Sequence, residues 1–485
     1  MIDDILKLQN GSDIRGIALG DDKNLTKREA FLIGASYAVW LEKLYKKEGK
    51  DLTVSIGHDP RITAEDLKSS LASGLSLNGI KVMDAGLCST PAMFMSTLFE
   101  EYNCDGAIMI TASHLPYDRN GFKFFNKNGG LDKKDIREIL ENTCNYSYRE
   151  FSVPIKKIPL LDTYCKHLRN LISSNNDKPL KGLHIVVDAG NGAGGFFATR
   201  VLEPLGADIS GSQFLNPDGT FPNHPPNPED KSAMESICSK VKEVNADLGL
   251  IFDTDVDRSS AVNGFGEEIN RNAIVALAAA IGAKENPMGT VVTDSVTSIE
   301  LKEFLEKALG VKHLRYKRGY RNVINKGMEI DNCFLAIETS GHAAYRDNYF
   351  LDDGAYLAVK IVIETARLKK EGKGIDYLIK NLKHPKESRE YRIKIKAKNY
   401  GEIGDIVIDA LSKYAGKSKN LSLEYPNYEG VRINFAGGWM LLRKSLHDPV
   451  MPLNIEGHSK EDIDSAIAEL KYLLANYPEL DISML

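Results

Sequence analysis

Long apolar runs are scarce in this 485-residue chain. The most apolar stretch, residues 273–283, falls far short of the roughly 20 residues that a membrane helix needs. No membrane partner is therefore expected. The first residues, Met1-Ile2-Asp3-Asp4, are acidic and lead into no apolar signal core, which argues against secretion. Cysteine is sparse too. Six residues, at positions 88, 104, 144, 165, 238 and 333, form no Cys-x-x-Cys. That pattern suits neither a zinc site nor a disulfide framework and fits a reducing cytoplasm. Positive charge is not in excess: 62 Lys and Arg stand against 67 Asp and Glu, for a formal net charge of −5. The global basic field that recruits nucleic acid is missing, so any anion must be held by local clusters.

What is present is length and alternation. At about 100–200 residues per domain, the chain has room for three or four. Strand-like apolar runs lie at residues 52–56, 80–84, 107–110, 183–188, 248–252, 290–293 and 333–337. Helical stretches separate them. Residues 30–44 follow a capping-box spacing at Thr26 and Glu29, and another helix begins near Thr63. Such alternation indicates layered α/β units. A polar stretch at 142–157 marks a first boundary, and a charged linker is expected at 383–389. Beyond it, residues 391–396 alternate with period two, as a half-buried antiparallel strand does. Further strands are expected at 430–435 and 439–442 and a helix at 460–476, which together read as a small α+β domain.

Two loops carry most of the chemistry. In Thr111-Ala112-Ser113-His114-Leu115-Pro116-Tyr117-Asp118-Arg119-Asn120-Gly121-Phe122-Lys123, a serine stands just past a buried strand, where ligand sites of α/β sheets form. A polar turn that merely contains a serine is the plain alternative. In Asp253-Thr254-Asp255-Val256-Asp257-Arg258, three carboxylates at every second position follow another strand. They repel one another unless a cation joins them, and hard oxygen ligands suit magnesium. The invariant glycine and late glutamate of an EF-hand are missing. A glycine-rich turn, residues 189–195, follows the strand at 183–188, but its spacing is not a clean dinucleotide fingerprint. Close helix–strand packing is the expected use. Gly11 and Gly16 flank a segment that should leave Arg15 on a flexible loop. Residues 315–321 form a basic loop in which Lys317 and Arg321 are candidate anion contacts or solvated charges. Asp352-Asp353-Gly354 should cap a helix.

The serine loop resembles the phosphoserine loop of the α-D-phosphohexomutases, the family of phosphoglucomutase, phosphomannomutase and phosphoglucosamine mutase. Thr111, Ala112, Ser113, His114, Pro116, Asn120, Gly121 and Lys123 match its Thr-Ala-Ser-His-Asn-Pro and Asn-Gly-x-Lys pattern, with Leu115 in place of asparagine. The acidic loop resembles Asp-Gly-Asp-Gly-Asp-Arg, with the β-branched Thr254 and Val256 in place of glycines. Glu338-Thr339-Ser340-Gly341-His342 resembles the family's sugar loop. Arg443-Lys444-Ser445-Leu446-His447-Asp448-Pro449 resembles its phosphate clamp, Arg-Pro-Ser-Gly-Thr-Glu-Pro. The four lie in the family's order.

The resemblance implies three similar α/β mixed-sheet domains and a smaller α+β C-terminal domain, with the active site in the central cleft. The boundaries expected are 1–155 with the phosphoserine loop, 156–265 with the metal loop, 266–383 with the sugar loop and 384–485 with the phosphate loop. It implies a phosphohexomutase that moves phosphate between O1 and O6 of glucose or mannose through a phosphoserine and a hexose 1,6-bisphosphate, which turns end for end. Ser113 carries the phosphate. His114, Lys123, Arg15 and His342 share acid–base and charge-stabilising work. Mg2+ sits on Ser113, Asp253, Asp255 and Asp257. Arg258, Arg321, Glu338, Ser340, His342, Arg443, Ser445 and His447 bind the phosphosugar. Asp59 and Arg61 are scaffold around the serine. Glucose 1,6-bisphosphate is the implied activator, and a monomer or homodimer the expected assembly. A phosphoglucosamine mutase and a catalytically weak sugar-phosphate-binding protein are the alternatives.

Overall fold

The computed structural model describes residues 2–153, 155–173, 177–445 and 448–485. The chain forms two compact units. One comprises Met1–Ile281 with Ser340–Leu378, and the other Gly282–Thr339 with Ile379–Leu485. Among the described residues, no helix is long and apolar enough to cross a membrane.

The first unit begins with a mixed sheet. Its centre is the parallel pair Thr53–His58 and Gly106–Ile110, apolar runs buried along nearly their whole length, as strands covered on both faces must be. Lys81–Leu87 adds a parallel strand on one side. On the other, Arg119–Asn126 and then Asp13–Ile17 run antiparallel. The helix Lys27–Tyr45 starts at the capping box foreseen at Thr26 and Glu29. It crosses Ala64–Ser76 at backbone contact: a Cβ on Gly34 would lie 2.3 Å from the Leu71 carbonyl oxygen.

Two expectations fail here for one reason. Arg15 is not on a flexible loop, and Lys123 does not close one. Both lie on strands of this sheet, and Arg15 pairs with Gly121. Polar residues interleaved with Phe122, Phe124 and Phe125 are what an antiparallel strand end carries beside a site.

A second sheet of this unit orders Glu268–Ile269, Ser259–Asn263, Leu248–Phe252 and Ile185–Asp188, the last two parallel and the others antiparallel. The unit also contains the antiparallel pair Ala343–Tyr345 and Leu351–Asp352, followed by the helix Gly354–Lys369. Asp353 caps that helix by accepting the Tyr356 N–H, as expected, and also accepts the Tyr164 hydroxyl at 2.6 Å.

In the second unit, Lys312–Arg315, Thr290–Thr293 and Cys333–Ile337 are parallel. The basic segment at 315–321 is thus not one loop: Arg315 ends a strand, and Tyr320 opens the helix Tyr320–Met328. The remaining sheet is antiparallel, ordered Leu421–Leu423, Val431–Phe435, Gly438–Leu442, Val450–Gly457, Glu387–Ile395 and Leu480–Asp481. Ile393, Ile433, Met440, Leu453 and Ile455 pack with residues of the helices Tyr400–Ala415 and Lys460–Leu474. The strand at 391–396 begins four residues earlier than the pattern indicates. The charged linker expected at 383–389 is partly strand: Glu387 and Arg389 are half-buried on the face that carries Tyr391, Ile393 and Ile395 further along.

One buried arginine shapes the serine loop. The Arg61 guanidinium donates to the main-chain oxygens of Ser113 (2.5 Å), Leu115 (2.6 Å), Pro116 (2.6 Å) and Arg119 (2.9 Å). Its Nε lies 3.1 Å from the Asp59 carboxylate, which also accepts the Thr111 hydroxyl at 2.7 Å. The Phe221 ring lies 5.1 Å from the guanidinium, so the proline-rich segment at 216–229 braces it from outside. Arg61→Met strands a buried carboxylate and four carbonyl oxygens. We expect it to cost about 3–5 kcal/mol in urea unfolding and to open residues 113–119 to limited proteolysis. Asp59→Asn in the same chain should recover part of the stability but not the protection.

Candidate active site

Ser113 lies three residues past the end of the strand Gly106–Ile110, with its backbone in the left-handed region at φ 50°. A non-glycine residue there costs about 1–2 kcal/mol, and the Thr111 hydroxyl, accepting the Ser113 N–H at 2.8 Å, helps to hold it. The serine is 7% exposed. Its Oγ donates to Asp253 Oδ2 at 3.0 Å and accepts from Arg258 Nη2 at 3.0 Å. His114 Nδ1 stands further off, at 3.4 Å. The nucleophile candidate thus sits between a carboxylate and a guanidinium.

The acidic loop leaves the strand Leu248–Phe252 with all three carboxylates fully buried. One oxygen from each of Asp253, Asp255 and Asp257 lies within 4.8 Å of the others. Two cations answer three anions. Arg258 donates to Asp253 through Nε (3.1 Å) and Nη2 (3.0 Å), while Lys123 Nζ contacts Asp257 and lies 3.3 Å from Asp255. Asp255 Oδ2 also accepts the Thr90 hydroxyl at 2.5 Å. The opposite oxygens, Oδ1 of Asp255 and of Asp257, are buried and accept no hydrogen bond. Burial and the Asp257 charge push Asp253 well above the usual carboxylate range. At Asp257, Lys123 and Arg258 outweigh burial and hold the group down. An all-oxygen cluster with one uncompensated charge and two vacant acceptors fits a hard divalent cation.

The β-branched residues of this loop answer differently. Val256 adopts φ 67° with its side chain buried, whereas Thr254 does not enter the positive-φ region. The strain at Val256 is held by its carbonyl, which accepts the Gly354 N–H at 3.0 Å. The glycine-rich turn also serves the loop. A Cβ on Gly192 would meet the Thr254 carbonyl oxygen at 2.7 Å, and the Ala193 N–H donates to that oxygen at 2.8 Å. The glycines do provide close packing: Gly194 lies against Phe252 at the end of the strand Leu248–Phe252, whereas Gly192 meets the acidic loop and Gly195 the Leu215 backbone.

The other expected residues of this unit converge on the same place. His342 Nε2 is 3.6 Å from Asp257 Oδ1, its Nδ1 is 2.8 Å from the Ser340 hydroxyl, and its backbone bridges to Arg258. Burial, then Arg258 and Lys123, press this imidazole far below its ordinary pKa. Burial, Arg258 and Arg15 move His114 in the same direction, although that residue keeps a face open to solvent. Arg15 donates to the Thr111 carbonyl and to Asp13 at 2.8 Å.

The second unit holds the rest. Glu338, 4% exposed, accepts the Gly319 N–H at 2.7 Å, and the Thr339 hydroxyl turns inward to Asp294 at 2.9 Å. Arg321 lies in the first turn of its helix with Nε buried and unpartnered. Lys317 lies 5.9 Å from the Tyr316 ring centre. Arg443 is buried up to a small opening, and its Nε has no hydrogen-bond acceptor. The Ser445 hydroxyl accepts the Asp448 N–H at 3.2 Å. His447 and Leu446 lie outside the described residues. Sequence reasoning missed Thr90, Asn227, which accepts from Arg258 at 3.3 Å, and Glu429, which faces Arg443. Thr90 opens the helix Thr90–Met95 and the other two lie in loops, and only tertiary contact marks them.

The sequence matches the phosphoglucomutase/phosphomannomutase alpha/beta/alpha domains I, II and III over residues 6–150, 162–266 and 270–384. The chain belongs to that family. It is 30% identical over 477 residues to a phosphomannomutase/phosphoglucomutase of Pseudomonas syringae pv. tomato, covering 97% of this chain and 96% of that one. A phosphoglucomutase/phosphomannomutase of Thermococcus kodakarensis is 31% identical over 462 residues, 94% of this chain and 95% of its own. The crystal structure of a phosphoglucomutase/phosphomannomutase family protein from Burkholderia thailandensis superposes with a TM-score of 0.83 at 26% identity, covering 98% and 99% of the two chains. The protein is accordingly a phosphohexomutase, an intramolecular phosphotransferase built of three α/β domains and a fourth that combines a sheet with helices.

Gly192→Ala tests how tightly the glycine turn sets the phosphohexomutase acidic loop. The new methyl cannot fit against Thr254, so the loop must shift. We expect mutase activity and divalent-cation affinity, read by calorimetric titration, each to fall by about tenfold or more. Gly401→Ala, whose added methyl meets nothing within 4 Å, is the control and should match the unaltered protein in both.

Proposed function

We propose that this phosphohexomutase interconverts hexose 1-phosphate and hexose 6-phosphate, with glucose and mannose as its sugars, through a phosphoserine at Ser113. The observation that carries the reading is the position of Ser113 Oγ, hydrogen-bonded to both Asp253 and Arg258 beside buried carboxylate oxygens that accept no hydrogen bond. A serine used only for binding has no need of that surrounding charge. Phosphoryl transfer demands alignment and charge neutralisation more than covalent invention, and both are supplied there.

In the reaction proposed, a sugar hydroxyl attacks the phosphoserine. The new P–O bond forms as the bond to Ser113 Oγ breaks, and the product is a hexose 1,6-bisphosphate. The hydroxyl proton passes to His342, whose cation would be favoured by the Asp257 carboxylate 3.6 Å away, and a proton is returned to the departing Ser113 Oγ. Lys123 and Arg258 remain cationic and stabilise the charge that develops on the phosphoryl oxygens. The bisphosphate then turns, and its other phosphate returns to Ser113. Asp253, Asp255 and Asp257, with the Ser113 oxygen, would hold Mg2+, which neutralises phosphoryl charge when bound. Arg15 and His114 flank the serine. Glu338 and Ser340 are assigned to the sugar hydroxyls. Arg321, Arg443, Ser445 and His447 are assigned to the phosphate that is not being transferred, where a planar guanidinium suits paired oxygens. Glucose 1,6-bisphosphate is the primer that loads Ser113. A cytoplasmic monomer or homodimer completes the reading, in keeping with the free thiols described at all six cysteines.

The protein as purified should carry one phosphoryl group on the peptide containing Ser113. Ser113→Ala should lose about 10³-fold or more of its mutase activity and still unfold cooperatively. A coupled assay with glucose and mannose phosphates, primed with the bisphosphate, reads this out. Full activity in the alanine variant would end the phosphoserine mechanism.

Chelation is the second test. Removing divalent cations should abolish turnover, and Mg2+ should restore it. Asp255→Asn, which lowers the charge of the cluster, should shift the Mg2+ requirement upward by about tenfold or more. Turnover indifferent to chelator would overturn the assignment of the acidic loop.

A further inference from the structure

Glu429 has no place in the mechanism so far, yet the second unit converges on it. It stands in the turn Asn427-Tyr428-Glu429-Gly430, which is closed by Asn427: its side chain donates to the Gly430 carbonyl at 2.9 Å and accepts the Glu429 N–H at 3.4 Å. The turn is packed against the Arg443 backbone. A Cβ on Gly430, at φ 57°, would fall 2.2 Å from the Leu442 carbonyl oxygen and 2.8 Å from Arg443 Cα. Tyr428 adds a ring contact to Tyr316, 4.9 Å between centres.

The two oxygens of the Glu429 carboxylate do different things. Oε2 accepts the Ser295 hydroxyl and the Arg318 N–H, the latter at 3.1 Å. Both donors come from loops at the ends of the parallel strands Thr290–Thr293 and Lys312–Arg315. Oε1 faces Arg443 Nη1 at 3.9 Å, beyond hydrogen-bond length. The carboxylate therefore orients the guanidinium without occupying its donors, and Nε is left with no acceptor. The next residue after Arg318, Gly319, donates its N–H to Glu338. One short path of hydrogen bonds and one ion pair thus runs from Glu338 through Gly319, Arg318 and Glu429 to Arg443. Nearby, Arg432 donates to the Ser295 and Thr297 carbonyl oxygens at 2.8 and 2.9 Å and meets Glu424 at 2.9 Å, as Arg315 does at 2.5 Å. The turn is thereby seated on a rigid base.

We propose that Glu429 is a positioning residue. It holds the Arg443 guanidinium ready for a phosphate dianion and links that grip to the loop bearing Glu338. The inference rests on the reading of Arg443 as a phosphate clamp. Preorganisation is the physical gain: an arginine that is already oriented, with its N–H donors uncommitted, loses less freedom when the phosphate arrives. A direct bidentate ion pair would do the opposite, since the phosphate would have to break it.

The experiment is a double-mutant cycle on the full chain. KM and kcat are measured with glucose 1-phosphate for Glu429→Ala, Glu429→Gln, Arg443→Ala and the Glu429→Ala/Arg443→Ala pair, alongside thermal unfolding of each. Glu429→Ala should raise KM by about tenfold while changing kcat by less than about threefold. Glu429→Gln keeps an oxygen for Ser295 and Arg318 but removes the charge, so its KM should rise by only about threefold, with the unfolding midpoint unchanged. In the Arg443→Ala background, Glu429→Ala should add less than about twofold, because there is no guanidinium left to place. An equal KM effect with and without Arg443, or a lowered midpoint with unchanged KM, would make Glu429 a structural residue and overturn the inference. If Glu429→Ala does not fold, a Glu429→Gln KM equal to that of the unaltered protein does the same. If instead Arg443→Ala alone leaves KM unchanged, the clamp reading itself fails.

Discussion

Everything in the first unit turns on a buried imbalance of charge. Three carboxylates of one loop meet one lysine and one arginine, none of them more than marginally exposed. An isolated charge in such surroundings is costly, and two cations cannot cancel three anions. The remaining charge has two outlets: a proton, toward which burial and the Asp257 charge push Asp253, or a metal cation, which the Oδ1 atoms of Asp255 and Asp257 suit. Because Arg258 also touches Ser113 Oγ, the charge balance of the acidic loop is felt at the serine directly. A phosphoryl group placed there enters a local field already set by the fold.

The scaffold explains how such a cluster is kept in shape. Ser113 and Val256 both occupy left-handed backbone conformations that residues with side chains avoid. Neither is left to itself. Arg61 ties the serine loop through four carbonyl oxygens, and Gly354 and the glycine turn tie the acidic loop from two sides. Strain of this kind persists only where neighbouring structure over-determines the backbone. Here the neighbours are a buried ion pair and backbone-to-backbone contacts, neither of which can relax by a rotamer change.

Much of this was legible in the residues themselves. Ser113 with its flanking motif and the triplet of aspartates after an apolar run needed no coordinates, since their residue types are poorly explained by packing. The strands expected at 248–252, 290–293 and 333–337 match the observed elements residue for residue because each is a short run of apolar and β-branched residues bounded by polar residues or glycine. What failed was local geometry where polarity hides secondary structure. Arg15 and Lys123 looked like loop residues because they are charged, yet a strand that ends beside a site alternates such residues with its core. The start of the strand at Glu387 was masked in the same way, because Glu387 and Arg389 put charge on the half-buried face where apolar residues would mark a strand. Thr90, Asn227 and Glu429 were beyond reach, because each is brought to its partner across a long sequence separation and no short motif encodes that proximity.

The division of the chain has a consequence for its synthesis. Each compact unit is assembled from two separated segments, so neither is a continuous stretch that a ribosome could release finished. The acidic loop is translated early, but the backbone contact that braces Val256 arrives only with Gly354, and the carboxylate that receives the Tyr164 hydroxyl only with Asp353. Since domains tend to fold as units while the chain emerges, the first unit must wait with an apolar strand, Leu248–Phe252, lacking part of its cover. The second unit waits longer, until the C-terminal strands are out. Until then, apolar surface meant for the core stays open on the nascent chain, the circumstance in which aggregation competes with folding.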